Sequence, residues 1–151
     1  EEYGVNKGVT LVGASGTVTS QNMGAIGKSA NGFVTGVGYS PKLDNPANKK
    51  FVADFQKAYN KLPDLYGADS YGLLYFYKAA VEKAKSTETD KVRTAMDDLS
   101  WQTPQGTKKM RAGDHQAMQD MFAVRVENGE FNIVGRVPSE QAIGPDVCTR
   151  F

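Results

Sequence analysis

Apolar positions along this chain change period twice, and each change separates one kind of element from the next. Residues 8–13, GVTLVG, form a short, nearly continuous apolar run closed by glycine. Such a run is expected of a buried strand in a parallel sheet. Residues 14–32 are small and polar, and are expected to hold loops with one helical turn near 21–26. FVTGV at 33–37 reads as a second strand, and GYSPKLDNP at 38–46 is a turn-rich linker. The period then becomes helical. Asn45-Pro46 is an N-cap followed by proline at the first helical position. Phe51, Phe55 and Tyr59 recur at every fourth residue, giving one apolar face. Lys57 and Lys61 suit the negative end of the helix dipole, and Pro63 is the expected stop.

A second helix is expected over 66–85. Its Tyr71, Leu74, Tyr75, Ala79 and Val81 cover much of the circumference, so deep burial is expected. Thr89 is the expected cap of a third helix carrying Val92, Met96 and Leu99 on one face. WQTPQG at 101–106 reads as a turn. In residues 121–137, MFAVRVENGEFNIVGRV, apolar and polar positions alternate on both sides of Asn128-Gly129. That dipeptide supplies the two positive φ angles of a tight turn, so this segment is a β-hairpin. The element order is strand, strand, three helices, hairpin, an α/β class. Too few strands are present to flank a parallel sheet on both sides, so the sequence reads as part of a larger sheet system.

Composition narrows the functions. The 151 residues suffice for a domain with a core. Eighteen Lys and Arg against seventeen Asp and Glu give a net charge of +1, no electrostatic case for nucleic acid or an acidic membrane. No apolar run approaches the roughly 20 residues that span a bilayer. The opening EEYG reads as the last turn of a helix closed by Gly4, so a processed chain or a portion of a longer one is expected. Cys148 is the one cysteine; it is either a free thiol or the partner of a cysteine outside this sequence.

Three places hold candidate chemistry. His115, the one histidine, sits in Asp114-His115-Gln116. A catalytic triad or a zinc site needs partners that the ligand count does not supply, so a polar turn before a strand is expected there. GASG at 13–16 follows the carboxyl end of a strand, the edge at which open α/β sheets bind ligands. Ala14, Ser15 and Gly16 are its candidates; it lacks the GK[ST] signature of a phosphate loop, and an ordinary strand-to-helix turn fits equally. In LYGADSYG at 65–72, Tyr66 and Asp69 are candidates for a ring contact and a charge, with core packing and helix-dipole compensation as the alternatives.

The stretch GFVTGVGYSPKLDNPANKKFVADFQKAYNKLPDLYGADSYGLLYFYKAAVEKAKS, followed by TPQGTKKMRAGDHQAMQDMFAVRVENGEF, resembles the C-terminal part of type I periplasmic solute-binding proteins, the leucine/isoleucine/valine-binding-protein-like receptors of ABC transporters. The resemblance covers nearly the whole chain and rests on an ordered series of motifs. It implies two α/β lobes with Rossmann-like parallel sheets flanked by helices, a late β-hairpin, and ligand held in the cleft between the lobes. On that mapping residues 1–38 end one lobe, 39–106 are the helical part of the other, and 107–151 return to the first lobe and end in a tail. The segments 38–46 and 101–106 would then be hinge crossings.

The implied function is capture of a small polar molecule by hinge closure: a branched-chain amino acid, an amide, urea or a small aromatic acid. The implied partners are that ligand and a membrane permease. The implied place is the periplasm or, in a Gram-positive host, the extracellular side with a membrane anchor. No cofactor, metal or catalytic residue is implied. Amino-acid-binding members carry an acidic residue in the loop where this chain has Ser15. That substitution argues against a zwitterionic amino acid unless Asp69 or a residue outside this sequence supplies the charge. The family's aromatic contact maps to Tyr66. A ligand sensor with the same fold is the second reading, and a hydrolase using Ser15 or Asp114–His115 the remote third. A portion of such a protein would also expose apolar surface and is expected to self-associate.

Overall fold

The computed structural model describes Gly4 and residues 8–148. The helix end expected on residues 1–3 lies outside the described residues. In chain order the elements are β1 (Val12–Gly13), α1 (Met23–Ile26) with a 3-10 turn at Gly27–Ala30, β2 (Val34–Val37), α2 (Pro46–Tyr59), α3 (Leu65–Ala84), α4 (Thr89–Met96), β3 (Ser100–Thr103), β4 (Gly106–Met110), β5 (Ala117–Met118), β6 (Met121–Glu127), β7 (Glu130–Val137) and α5 (Ser139–Ala142).

Two sheets organise them. The first has the order β1-β2-β6-β7, with β1 and β2 parallel and the other pairs antiparallel. The β6–β7 hairpin is as expected from Asn128-Gly129, whose φ angles are 54° and 78°. Its inward Val124 and Val126 are fully buried, and Val126 packs with Val18, Met23, Ala30 and Phe33. The second sheet, β3-β4-β5, is antiparallel and lies against α3. Of 101–106, expected as a turn, residues 104–105 do turn, whereas 101–103 lie in the edge strand β3 and Gly106 opens the central strand β4. β4 escapes an apolar pattern because its inward residue is Lys108, opposite Trp101. Lys108 is buried with its side-chain nitrogen donating to Asp69 on α3 at 3.0 Å, the kind of partner a buried polar group needs. Gly72 lets α3 approach β3: a Cβ there would meet the Thr103 methyl at 3.3 Å.

The helices begin and end for identifiable reasons. Asn45 caps α2 by accepting from the Asn48 amide at 2.8 Å, with Pro46 in the first turn. α2 ends before Pro63: Asn60 takes the left-handed conformation, φ 52°, that asparagine tolerates better than most residues. Asp64 caps α3 through the Gly67 amide at 2.8 Å. Thr89 does not cap α4; Glu88 holds that position, with no side-chain bond, and Thr89 is the first helical residue.

Burial of α3 is one-sided, which corrects the expectation of deep burial. Ala68, Gly72, Phe76 and Ala80 face the protein. Tyr71, Ala79 and Val81 are half-buried, whereas Leu74 is 71% and Tyr75 49% exposed. The strand from 8–13 is also uncovered: Val12 is 72% exposed, since β1 is an edge strand with one neighbour. The main core lies between α2, α3 and the first sheet. There Tyr39, Leu43, Phe51, Ala68 and Phe122 pack together, flanked by Phe55 and Tyr71.

The chain leaves the first sheet after β2 and returns at β6. The helices and the second sheet, from Pro46 to Met118, lie between those two strands, and residues 38–45 and 119–120 connect them to the first sheet. The two crossings touch: a Cβ on Gly38 would sit 2.5 Å from the Gln119 amide nitrogen.

Candidate functional site

Four loops converge where the two units meet. The first follows β1. Its turn closes with Thr17 N–H donating to the Ala14 carbonyl at 3.1 Å, and Gly16 takes φ +94°, a conformation that favours glycine. Thr19 and Asn22 then exchange bonds: the Thr19 amide donates to Asn22 Oδ1 at 2.7 Å, and the Asn22 amide to Thr19 Oγ1 at 3.2 Å. This rigid turn projects Gln21. The second loop is the crossing after β2, the third joins α2 to α3, and the fourth is the tip of the hairpin, Gly129 with the first residues of β7.

Together they enclose a cavity of about 390 Å³, the size of a small-molecule site. Val18, Met23, Leu62, Leu65 and Phe131 supply apolar wall; Ser15, Gln21, Ser40, Lys42, Asp64 and Glu130 supply polar groups. Asp64 and Gln21 bridge the units, with the Gln21 amide donating to Asp64 Oδ2 at 2.7 Å. Lys42 reaches from the crossing to the hairpin, donating to Glu130 Oε2 at 2.6 Å and Asn132 Oδ1 at 2.8 Å. Beneath them the Tyr39 phenol donates to Asn48 Oδ1 at 2.9 Å. Its pKa is raised far above the ordinary range, first by burial and then by the negative charge of Asp64.

Of the five candidate residues, Ser15, Gly16 and Tyr66 line this cavity. Ala14 and Asp69 are not among its lining residues; Asp69 instead accepts from Gln105 at 2.6 Å and from Lys108. Sequence reasoning missed Asp64, Gln21 and Lys42. An aspartate after Pro63 and before a helical run is legible as an N-cap, but its place in the cavity wall is set by loops distant in sequence.

His115 is in a turn, as expected. Its φ is 55°, its amide donates to the Arg111 carbonyl at 2.9 Å, and Nε2 lies 3.2 Å from Asp97 Oδ1. It is not among the cavity-lining residues, so the structure does not bring Ser15 and Asp114–His115 into one constellation. Among the described residues no group of three His, Cys, Asp or Glu is arranged to hold a metal. Arg111 clasps Asp114 with Nε at 2.8 Å and a second bond from Nη2, and also donates to the Gly144 carbonyl at 2.8 Å. The bond from Arg111 is the main cause that lowers the Asp114 pKa to about 2. A carboxyl depressed in the folded state stabilises it fully above its unfolded pKa, and that contribution disappears as pH falls through the folded value. Asp114→Asn is therefore expected to flatten the acid limb of a melting-temperature profile between about pH 4 and pH 2. An unchanged limb would remove this pair from the acid response.

A family model described as "Periplasmic binding protein" matches residues 1–130. The chain belongs to the periplasmic binding protein family. Leu/Ile/Val-binding protein homolog 4 of Brucella abortus (strain 2308) is 27% identical over 109 residues, 70% of this chain and 26% of that protein. Among solved structures, an ABC-type branched-chain amino acid transporter from Rhodopseudomonas palustris CGA009 is 28% identical, with a TM-score of 0.81 over 96% of this chain and 40% of the other. A solute-binding protein of an ABC transporter from R. palustris, in complex with benzoate, is 25% identical, with a TM-score of 0.76 over 90% of this chain and 39% of the other. The chain thus spans about a quarter of the length of the curated relatives it matches. The fold is the α/β fold of the type I periplasmic binding proteins, a family of binding proteins rather than enzymes. Membership implies an extracytoplasmic location. Among the described residues no helix is long and apolar enough to cross a membrane.

Proposed function

We propose that this chain is one part of an ABC-transporter solute-binding protein that captures a small polar molecule in the cleft and presents it to a membrane permease. The observation that carries this reading is the cavity of about 390 Å³ between the two sheet-bearing units, lined by loops from both. Ser15, Gly16 and Tyr66 are its contact residues from the original candidates, with Asp64, Gln21 and Lys42 added. Residues 12–37 with 121–137 belong to one lobe, and 46–118 to the other. The adjacent crossings at 38–45 and 119–120 are the hinge, absorbing the backbone rotation that opens and closes the cleft. Ligand bridging both walls favours the closed form, and that form is what a permease recognises. In a longer protein the uncovered edge of β1 and the apolar face of α3 are where the rest of the chain packs.

A thermal-shift screen of the full-length protein tests this. Amino acids, amides and aromatic acids are the panel, because a ligand selective for the folded state raises the melting temperature. At least one of them is expected to give a shift of several degrees that saturates with concentration. No shift across the panel would count against transport capture.

A further inference from the structure

After β7 the chain does not stay with the first sheet. It crosses to the second-sheet unit and is held at both ends. At the near end, Asp120 in the crossing 119–120 accepts from Arg136 Nε at 2.7 Å and from the Ser139 amide at 3.1 Å. The end of β7 and the start of α5 are thereby fixed to the crossing. At the far end, Arg111 Nη1 donates to the Gly144 carbonyl at 2.8 Å. The Asp146 carboxylate lies over Gly113 so closely that a Cβ on that glycine would sit 1.6 Å from Oδ2. The Arg111 pKa is raised, first by its bond with Asp114 and in smaller part by the charge of Asp146. Asp146 Oδ1 also accepts from the Cys148 amide at 3.0 Å, which folds the tail around the contact. This bridge is separate from the ligand cavity. The tip of the hairpin lines that cavity, whereas the tail leaves from the hairpin's other end, where Val137 pairs with Met121. Ser139 and Glu140 from the bridge, with Asp98, Lys109 and Arg111 from the other unit, line a second cavity of about 380 Å³. The two cavities share no lining residue.

We propose that residues 139–146 are a strap across the hinge, which holds the two units in the arrangement whose cavity walls meet at Gln21 and Asp64. The strap presupposes the hinge at 38–45 and 119–120 of the solute-binding reading above. Rotation about two short, adjacent segments is resisted mainly by whatever contacts join the units elsewhere. On the cavity side that contact is the Gln21–Asp64 bond, which is exposed. Away from the cavity it is the strap, and the strap has little slack. From Ser139 to Gly144 the chain would reach about 17 Å if fully extended, but Ser139–Ala142 are coiled in α5, where each residue advances only about 1.5 Å. A rotation that carries Arg111 away from α5 must therefore release Gly144 or unwind the helix. The far anchor is one bond from a guanidinium plus the seating of Asp146 on a glycine, a modest interaction. It biases the equilibrium between arrangements and does not lock it. Ligand affinity is reduced by whatever fraction of molecules is not competent to bind. The strap thus tunes affinity through residues that line no part of the ligand cavity, and the empty volume of the second cavity gives the units room to move against it.

The test measures the distance between two spin labels in the ligand-free full-length protein, in a cysteine-free background that includes Cys148→Ser. One label replaces Lys28 in the first-sheet unit and the other Lys61 in the helical unit; both positions are exposed. The intact strap is expected to give one narrow distance distribution. Gly113→Ala is expected to broaden it or shift it by several ångströms, because the new methyl evicts Asp146. Gly113 has no positive φ, so alanine meets no backbone strain there. Adding Asp146→Gly to Gly113→Ala removes the colliding carboxylate and is expected to restore the narrow distribution. That rescue separates release of the tail from damage to the turn. Asp146→Lys acts from the other side, by repelling Arg111; Asp146 is exposed, so folding is not at risk. It is expected to broaden the distribution as Gly113→Ala does. A distribution unchanged in Gly113→Ala and in Asp146→Lys, but shifted by L-leucine or benzoate, would overturn the strap and leave the hinge standing. Broadening in Gly113→Ala that Asp146→Gly does not reverse and Asp146→Lys does not reproduce would also overturn it. One narrow distance in every variant and with every ligand of the thermal-shift panel would remove the hinge and the strap together.

Discussion

Phe51→Ala is expected to destabilise the protein by about 3–5 kcal/mol, the cost of deleting a fully packed ring whose cavity cannot collapse. Phe51 is 4% exposed and is the hub of the main core. Its ring lies 4.7 Å from Tyr71 on α3, 5.6 Å from Phe55 one turn along α2, and 6.3 Å from Tyr39 on the first crossing. One side chain thus joins two helices and the segment that leads back to the first sheet. Truncation loses the transfer energy of the ring and its edge-on contacts together. Denaturant unfolding followed by Trp101, which is buried 4.3 Å from Phe76, reads the loss as a lowered midpoint. A change below about 1 kcal/mol would mean that the core repacks around the gap.

Asn48→Ala is expected to cost about 3 kcal/mol or more, through polar groups left behind rather than through volume. Asn48 is fully buried at the start of α2. Its Nδ2 donates to the carbonyls of Pro41 at 3.1 Å and Leu43 at 2.9 Å, and its Oδ1 accepts from the Tyr39 hydroxyl. Removing it takes the side-chain partner from the Pro41 carbonyl and the Tyr39 phenol, while the Leu43 carbonyl keeps the Asn45 amide at 3.1 Å. Each such group costs about 1–3 kcal/mol. The same bonds hold 39–43 in the shape that forms a cavity wall, so ligand affinity is expected to fall with stability. A double-mutant cycle with Tyr39→Phe isolates the phenol's share. Full additivity of the two variants would mean that Tyr39 and Asn48 do not act together.

Why these two residues matter was only partly legible beforehand. The spacing of Phe51, Phe55 and Tyr59 showed the apolar face of α2, and Asn45-Pro46 showed where it starts. Nothing local marked Asn48 as buried, because an asparagine in the first turn of a helix usually faces water. The hairpin was legible from its alternation and its Asn-Gly turn. The second sheet was not, because its inward positions are Trp101, Thr103 and Lys108, and Lys108 is tolerated there only by a partner 39 residues away on α3. α3 was legible as a helix but not in its burial: apolar residues around a whole circumference give no preferred face. In the cleft, Ser15, Gly16 and Tyr66 were legible from their places beside a strand and a helix start. Asp69 was drawn to the candidate set by its charge alone, and that charge is used inside the helical unit. Asp64, Gln21 and Lys42 acquire meaning only when loops distant in sequence face one another.

The order β1-β2-β6-β7 pairs Val34 with Arg125, so the first sheet encloses the entire helical unit as an insertion between neighbouring strands. For a structureless connection of that length, the entropy of loop closure would oppose the pairing of β2 with β6. A compact insertion whose two ends emerge side by side removes most of that penalty, and Gly38 against Gln119 places them so. Assembly of the helical unit therefore brings the hairpin to its strand, while the hairpin itself, with its two-residue turn, is free to form locally at any time. The contact to which we assign the hinge of the finished molecule is, during folding, the splice that lets the sheet close.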